Sequence, residues 1–136
     1  MKIVVIDGQG GGIGKLLVER LRKELTDNSI VAIGSNALAT SAMIRSGADY
    51  AATGENAVCV NAQDADIIMG PIGIVLANAM LGEITPAMAM AVGASKAQRI
   101  LVPISRCNTS VAGFVERPVA QLIDSAIAIA KQTILS

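Results

Sequence analysis

Ile3-Val4-Val5-Ile6-Asp7-Gly8-Gln9-Gly10-Gly11-Gly12-Ile13-Gly14-Lys15 decides how the chain folds. Ile3 to Ile6 are apolar without alternation, the pattern of a strand covered on both faces in a parallel sheet. Five glycines in seven residues, Gly8 to Gly14, follow at once. Beyond them Ile13, Leu17, Leu21 and Leu25 recur every four residues with Val18 beside them, while Lys15, Glu19, Arg22 and Lys23 take the other side. That spacing predicts an amphipathic helix, with Glu19–Lys23 in the favourable i,i+4 order. Strand, glycine turn and helix therefore stand in the order that phosphate binding requires. Glycines let the backbone turn sharply and approach an anion, and the first helical amides point at it with the positive dipole end behind them.

The same alternation runs to the end of the chain. Thr26 to Ser29 turns it into a second strand, Ile30–Ile33, and Asn36 is placed to cap a helix over Ala37–Ser46 that stops at Gly47. Asp49–Ala52 reads as a short third strand and Glu55–Gln63 as a third helix, with a strand at Val58–Val60 as the alternative. Ala65–Met69 is the fourth strand, ending at Gly70-Pro71. Two short helices are expected next, Gly73–Leu81 and one starting at Thr85 with Pro86 as its first residue. Arg99–Ile104 makes a fifth strand and Val111–Val115 a small edge strand. Pro118 opens a last helix with Val119, Leu122, Ile123, Ala126, Ile127 and Ile134 inward. Strands alternating with helices through short connections predict right-handed crossovers. The expected fold is α/β: a single domain over 1–136, a Rossmann-like three-layer sandwich with a mostly parallel sheet of about five strands and helices on both faces.

Composition narrows the function. Hydrophobic residues make up 52% and charged residues 16% of the chain. The longest uncharged apolar run, Ile67–Gly82, falls short of the ~18–20 residues of a spanning helix and is interrupted by Gly70-Pro71, so no membrane partner is expected. Met1-Lys2 leads straight into a strand with no small-residue cleavage site after it, which predicts a cytoplasmic protein. Cys59 and Cys107 form no CxxC and histidine is absent, so no metal site is expected and the commonest general base is missing. Eleven basic residues balance eleven acidic ones, and Tyr50 and Phe114 are the only aromatics. Neither a field nor a stacking platform for nucleic acid exists.

The loop lacks the GxGxxG register, because Ile13 stands where the third glycine would fall after Gly8 and Gly10. It contains GxxxGxG as Gly8, Gly12 and Gly14, and in this it resembles the cofactor loop of short-chain dehydrogenases over roughly the first sixty residues. The resemblance implies NAD(P). That family's Tyr-x-x-x-Lys is absent, since Gly54 stands four places after Tyr50, and the end of the second strand carries Gly34-Ser35-Asn36 in place of a ribose-binding acid. Gly11-Gly12-Ile13-Gly14-Lys15 also looks like the deviant P-loop of ParA/MinD-type ATPases, but Leu16 replaces the Mg²⁺-binding hydroxyl. Asp7 adjoins the loop as a carboxylate that would repel an anion; it is expected to brace loop amides, with a ribose hydroxyl as the alternative.

Ligands of open parallel sheets bind beyond the carboxyl ends of the strands. The expected cofactor-binding residues there are Gly8, Gln9, Gly10, Gly11, Gly12, Ile13, Gly14, Lys15, Ser35, Asn36, Thr53, Gly54, Glu55, Asn56, Gly70, Pro71 and Arg106. Arg106 could pair with a phosphate or with Glu55, and Cys107 is a bystander thiol or a nucleophile. Taken together, IVVIDGQGGGIGK, ATSAMIRSGAD, ATGENAV, DADIIMGPIGIV and GEITPAMA resemble an uncharacterised bacterial family of small Rossmann-like proteins, a domain of unknown function. That resemblance implies a fold and no activity.

The expected function is a cytoplasmic binder of a phosphorylated small molecule, NAD(P) or another adenine nucleotide, acting as sensor, carrier or subunit. The alternatives are a small oxidoreductase or transferase using Glu55, Arg106 or Cys107, and an interaction scaffold with an unused loop. Gly73–Ala97 is apolar on all sides apart from Glu83 and Lys96, which predicts a homo-oligomer through Met80–Val92, with burial inside the one chain by the sheet and the last helix as the alternative.

Overall fold

Each apolar run becomes a strand in the computed structural model, which describes residues 1–104 and 107–136. Strands β1 (Lys2–Asp7), β2 (Ser29–Gly34), β3 (Tyr50–Thr53), β4 (Ile67–Pro71) and β5 (Gln98–Val102) form one parallel sheet in the order β3-β2-β1-β4-β5. Val5 of β1 stands opposite Ala32 of β2 and Met69 of β4. The chain walks outward from β1 to β3 and then returns to the other side of β1 as β4. The order reverses there, and such a reversal opens a crevice at the carboxyl ends of the strands.

Helices α1 (Gly12–Glu24), α2 (Ala37–Arg45), α3 (Glu55–Ala62), α4 (Pro86–Ala94) and α5 (Val119–Leu135) cover both faces. Side chains of a strand alternate between faces. Ile3 and Val5 accordingly join Leu17, Leu21, Met43, Ile123 and Ile127 in one core under α1, α2 and α5. Val4 and Ile6 join Val58, Met88 and Val92 in a second core under α3 and α4. The result is the expected three-layer α/β architecture. The helix ends form as their residues predict. Asn36 accepts the Ala39 amide at 2.9 Å, Thr85 accepts the Met88 amide at 3.2 Å before Pro86, and Gly47 closes α2 at φ 115°.

Several expectations are corrected. Gly73–Leu81 is not a helix: a single 3₁₀ turn at Ile72–Val75 gives way to turns in which Asn78, Met80 and Leu81 take φ values of 66°, 58° and 56°. The short-range bonds of a closed turn take the place of the expected helical ones. The Asn78 amide donates to the Ile84 carbonyl at 2.7 Å, and the Ile84 amide returns to Ala79 at 3.2 Å. Val111–Val115 carries no strand but a turn, with Phe114 donating to the Val111 carbonyl and Gly113 at φ 81°. Val119 lies exposed at the start of α5, while Ala130 is buried in the core. Within Met80–Val92, Met80, Met88 and Val92 pack in the core under the sheet and α3 and offer no surface to a partner; Leu81, 99% exposed, and Met90, 74% exposed, lie outside. No helix among the described residues is long and apolar enough to cross a membrane.

Arg20–Glu24, and not Glu19–Lys23, is the ion pair that forms along α1, at 2.5 Å. Lys131 of α5 reaches Glu24 at 2.6 Å, and Arg20 also holds Asp124 of α5. The Arg20 guanidinium and then the Lys131 ammonium pull the Glu24 carboxyl from 4.5 down to about 2. A depressed carboxylate contributes stability that is fully present above its unfolded value and is lost as pH falls through the folded one. The α1–α5 clasp should therefore weaken as pH drops from about 4.5 towards 2. Melting curves across that range should show a smaller acid loss in Glu24→Gln than in the wild type.

Candidate functional site

The glycine loop begins where β1 ends, beside the crevice between β1 and β4. Asp7 is 4% exposed, and its two oxygens accept the Gly8 and Gly14 amides, each at 2.7 Å. Burial pushes this carboxyl up; the amides of Gly14, Gly8 and Ile13 pull it back, and the charge of Glu83 adds to the rise. Asp7 is thus the brace that the sequence suggested. It ties the first and last glycines of the loop to the strand and serves the start of α1, where Gly11, the residue before the helix, offers no side chain.

The glycines divide into two groups. A Cβ on Gly8 would fall 2.6 Å from Ser35 Oγ and 2.7 Å from Met80 Sδ. Gly11 holds φ 72°, and a Cβ there would meet the Ala39 backbone at 2.9 Å. A Cβ on Gly14 would meet Met43 Sδ at 2.5 Å and Asp7 Cβ at 2.9 Å. Packing and backbone geometry explain these three. Gly10 and Gly12 lack such a reason: a Cβ on either meets nothing within 4 Å, neither has a left-handed φ, and both are exposed. Among the described residues their amides form no hydrogen bond, whereas Gly11 donates to Gly8 at 2.9 Å and Lys15 to Gly11 at 2.8 Å.

Three elements converge on the other side of the loop, at a residue that the sequence did not single out. Glu83, on the segment between β4 and α4, accepts through Oε1 from the Gln9 amide at 2.8 Å, from Ser35 Oγ at 2.6 Å and from Asn36 Nδ2 at 2.7 Å. Asn36 also donates to the Gln9 carbonyl at 3.0 Å. The Ser35 hydroxyl, then the Gln9 amide and the Asn36 amide, hold the Glu83 carboxyl below its ordinary value against partial burial. Gln9, Ser35 and Asn36 are thus brought together around Glu83. One sequence signal marks Glu83: it is the single charged residue between Asp66 and Lys96.

The remaining candidates lie around this mouth. Gln9, Met80, Leu81 and Cys107 line a shallow cavity of about 250 Å³, and all four have left-handed φ values between 48° and 58°. Ile13 is half-buried against the α1 core. Lys15 lines a depression between α1 and α2 with Glu19, Arg45 and Ser46. Thr53, Gly54, Glu55 and Asn56 stand at the end of β3; Gly54 donates to the Gly34 carbonyl at 2.9 Å and Thr53 pairs with Thr40 at 2.7 Å, but no hydrogen bond joins them to the glycine loop. Gly70 and Pro71 are buried within β4. Arg106 lies outside the described residues.

One family's sequence model matches residues 2–135. The chain belongs to the family described as "Domain of unknown function (DUF3842)". The resemblance to a domain of unknown function rested on the strings quoted above, which fall within the matched residues. Among solved structures, the crystal structure of a dodecameric FMN-dependent UbiX-like decarboxylase from Escherichia coli O157:H7 is similar at 16% identity and a TM-score of 0.47, over 98% of this chain and 76% of that one. The curated proteins compared give no match.

Proposed function

We propose that the mouth between β1 and β4 binds a phosphorylated small molecule, NAD(P) or another adenine nucleotide, and that the protein acts as a sensor, carrier or subunit. Gly10 and Gly12 carry this reading. Two exposed glycines whose amides take no partner among the described residues, and with no packing reason to be glycine, stand at the start of α1, at the crevice where open parallel sheets receive ligands. A phosphate fits that surface, because a side chain at either position would fill the space it needs. Gly10 and Gly12 would hold the phosphate, with Gln9, Ser35 and Asn36 beside it. A binding role without strong chemistry is supported by the two carboxylates at the mouth, since Asp7 and Glu83 both hold loop groups by hydrogen bonds. A homo-oligomeric contact through the exposed members of Met80–Val92, Leu81 and Met90, and a cytoplasmic location belong to the same reading.

Thermal melting with NAD(H), NADP(H), ATP, ADP and coenzyme A tests it. A ligand at a hundred times its Kd adds about 2.7 kcal/mol of stability, easily seen as a rise in the midpoint. Gly12→Val should fold, because the space around that position is open, and should lose the ligand-induced rise. A panel without effect at millimolar concentration, or a folded Gly12→Val variant with wild-type affinity, overturns the reading.

A further inference from the structure

The end of β2 lacks the acid that often accepts a ribose hydroxyl in dinucleotide-binding sheets. Ser35 and Asn36 occupy that place, and both donate to Glu83, which comes from the segment after β4, across β1 from β2. One carboxylate oxygen takes all three donors; Oε2 takes none among the described residues. No ion pair involves Glu83 among the described residues, so its charge is oriented by neutral groups. An ionised oxygen fixed in this way is an acceptor for hydroxyl groups and a barrier to anions. It holds the Gln9 amide, on the loop whose Gly10 and Gly12 amides take no partner among the described residues. A sugar acceptor bonded to Gln9 and phosphate donors at Gly10 and Gly12 suit the neighbouring sugar and phosphate of a nucleotide.

We infer that Glu83 reads a ribose: its free Oε2 accepts a sugar hydroxyl of the bound ligand, and the site takes ribonucleotides while rejecting those with a phosphate on that hydroxyl. This rests on the phosphate reading of the glycine loop and specifies its ligand class. Ser35 and Asn36 are positioning residues, because they hold Oε1 and leave Oε2 without a donor among the described residues. A 2′-phosphate brings like charge against Glu83, and no described cation neutralises it there.

Calorimetric titration of the wild-type protein with ADP, 2′-deoxy-ADP, NAD⁺ and NADP⁺ tests this without any substitution. ADP and NAD⁺ should bind more tightly than 2′-deoxy-ADP and NADP⁺ respectively, each by about tenfold or more, the worth of one charge-assisted hydrogen bond. Glu83→Gln, checked for folding by its melting curve, should narrow both ratios, chiefly by weakening ADP and NAD⁺. Equal affinities within both wild-type pairs overturn the inference and leave the phosphate reading standing. Tighter binding of all four ligands by Glu83→Gln also overturns it, since Glu83 would then be an internal stand-in for the ligand's anion. Failure of all four to bind the wild-type protein defeats the phosphate reading and this inference with it.

Discussion

Gly70→Ala should be among the most damaging single-methyl changes in the molecule. Gly70 is buried in β4, pairs with Leu101 of β5, and faces β1 so closely that an added Cβ would overlap the Ile6 carbonyl oxygen. A flexible side chain could move aside; a carbonyl in the central strand cannot move without separating β1 from β4. Overpacking a rigid core costs about 1–3 kcal/mol and more when backbone must shift. A loss near the upper end lowers the melting midpoint of a domain this size by about 10 °C. Gly12→Ala is the matching control. Its space is open and its φ ordinary, so it should leave stability unchanged or raise it by less than about 1 kcal/mol through the unfolded chain. A Gly70→Ala protein that melts with the wild type would show that β1 and β4 yield freely.

Met88→Glu should abolish the fold of the monomer rather than divide an oligomer. Met88 is 2% exposed and packs in the core with Val4, Ile6, Val58 and Ile84. An unpaired carboxylate there costs more than about 4 kcal/mol, a large share of the ~5–15 kcal/mol that hold a domain together. Circular dichroism and the elution volume of the variant would check this; a folded protein would show the site to be more open than its packing implies. Met90 is the place to test association. It projects from the same helix into solvent, so Met90→Glu should keep the fold and shift the proposed oligomer towards the 13.9 kDa monomer in light scattering.

The central strands were legible because burial on both faces leaves a plain mark: Ile3–Ile6, Ile30–Ile33 and Ile67–Met69 have no polar alternation. Asn36, Gly47 and Thr85-Pro86 were legible because end chemistry is local. Gly73–Leu81 was misread because its residue types point to helix. Methionine and leucine favour right-handed helix, and their left-handed conformation at positions 80 and 81 belongs to a turn closed by the short-range bonds between Asn78, Ala79 and Ile84. Within the site, the glycine loop and the Asp7 brace were readable from adjacent residues. Glu83 was not, because its partners Gln9, Ser35 and Asn36 lie in other loops and only the folded sheet brings them near. The division between Gly8, Gly11 and Gly14 on one side and Gly10 and Gly12 on the other was equally hidden, since it depends on what stands across from each.

The bonds to Glu83 span 74, 48 and 47 positions of the chain. Contacts of such separation form only after the intervening loops have closed, so they come late and cost chain entropy. The mouth therefore does not exist on a nascent chain that ends before β4, even though its glycine loop is complete by residue 14. A ligand held there favours the finished sheet and gives no help to the N-terminal half alone. Occupancy of the mouth becomes a report that β4 has docked beside β1.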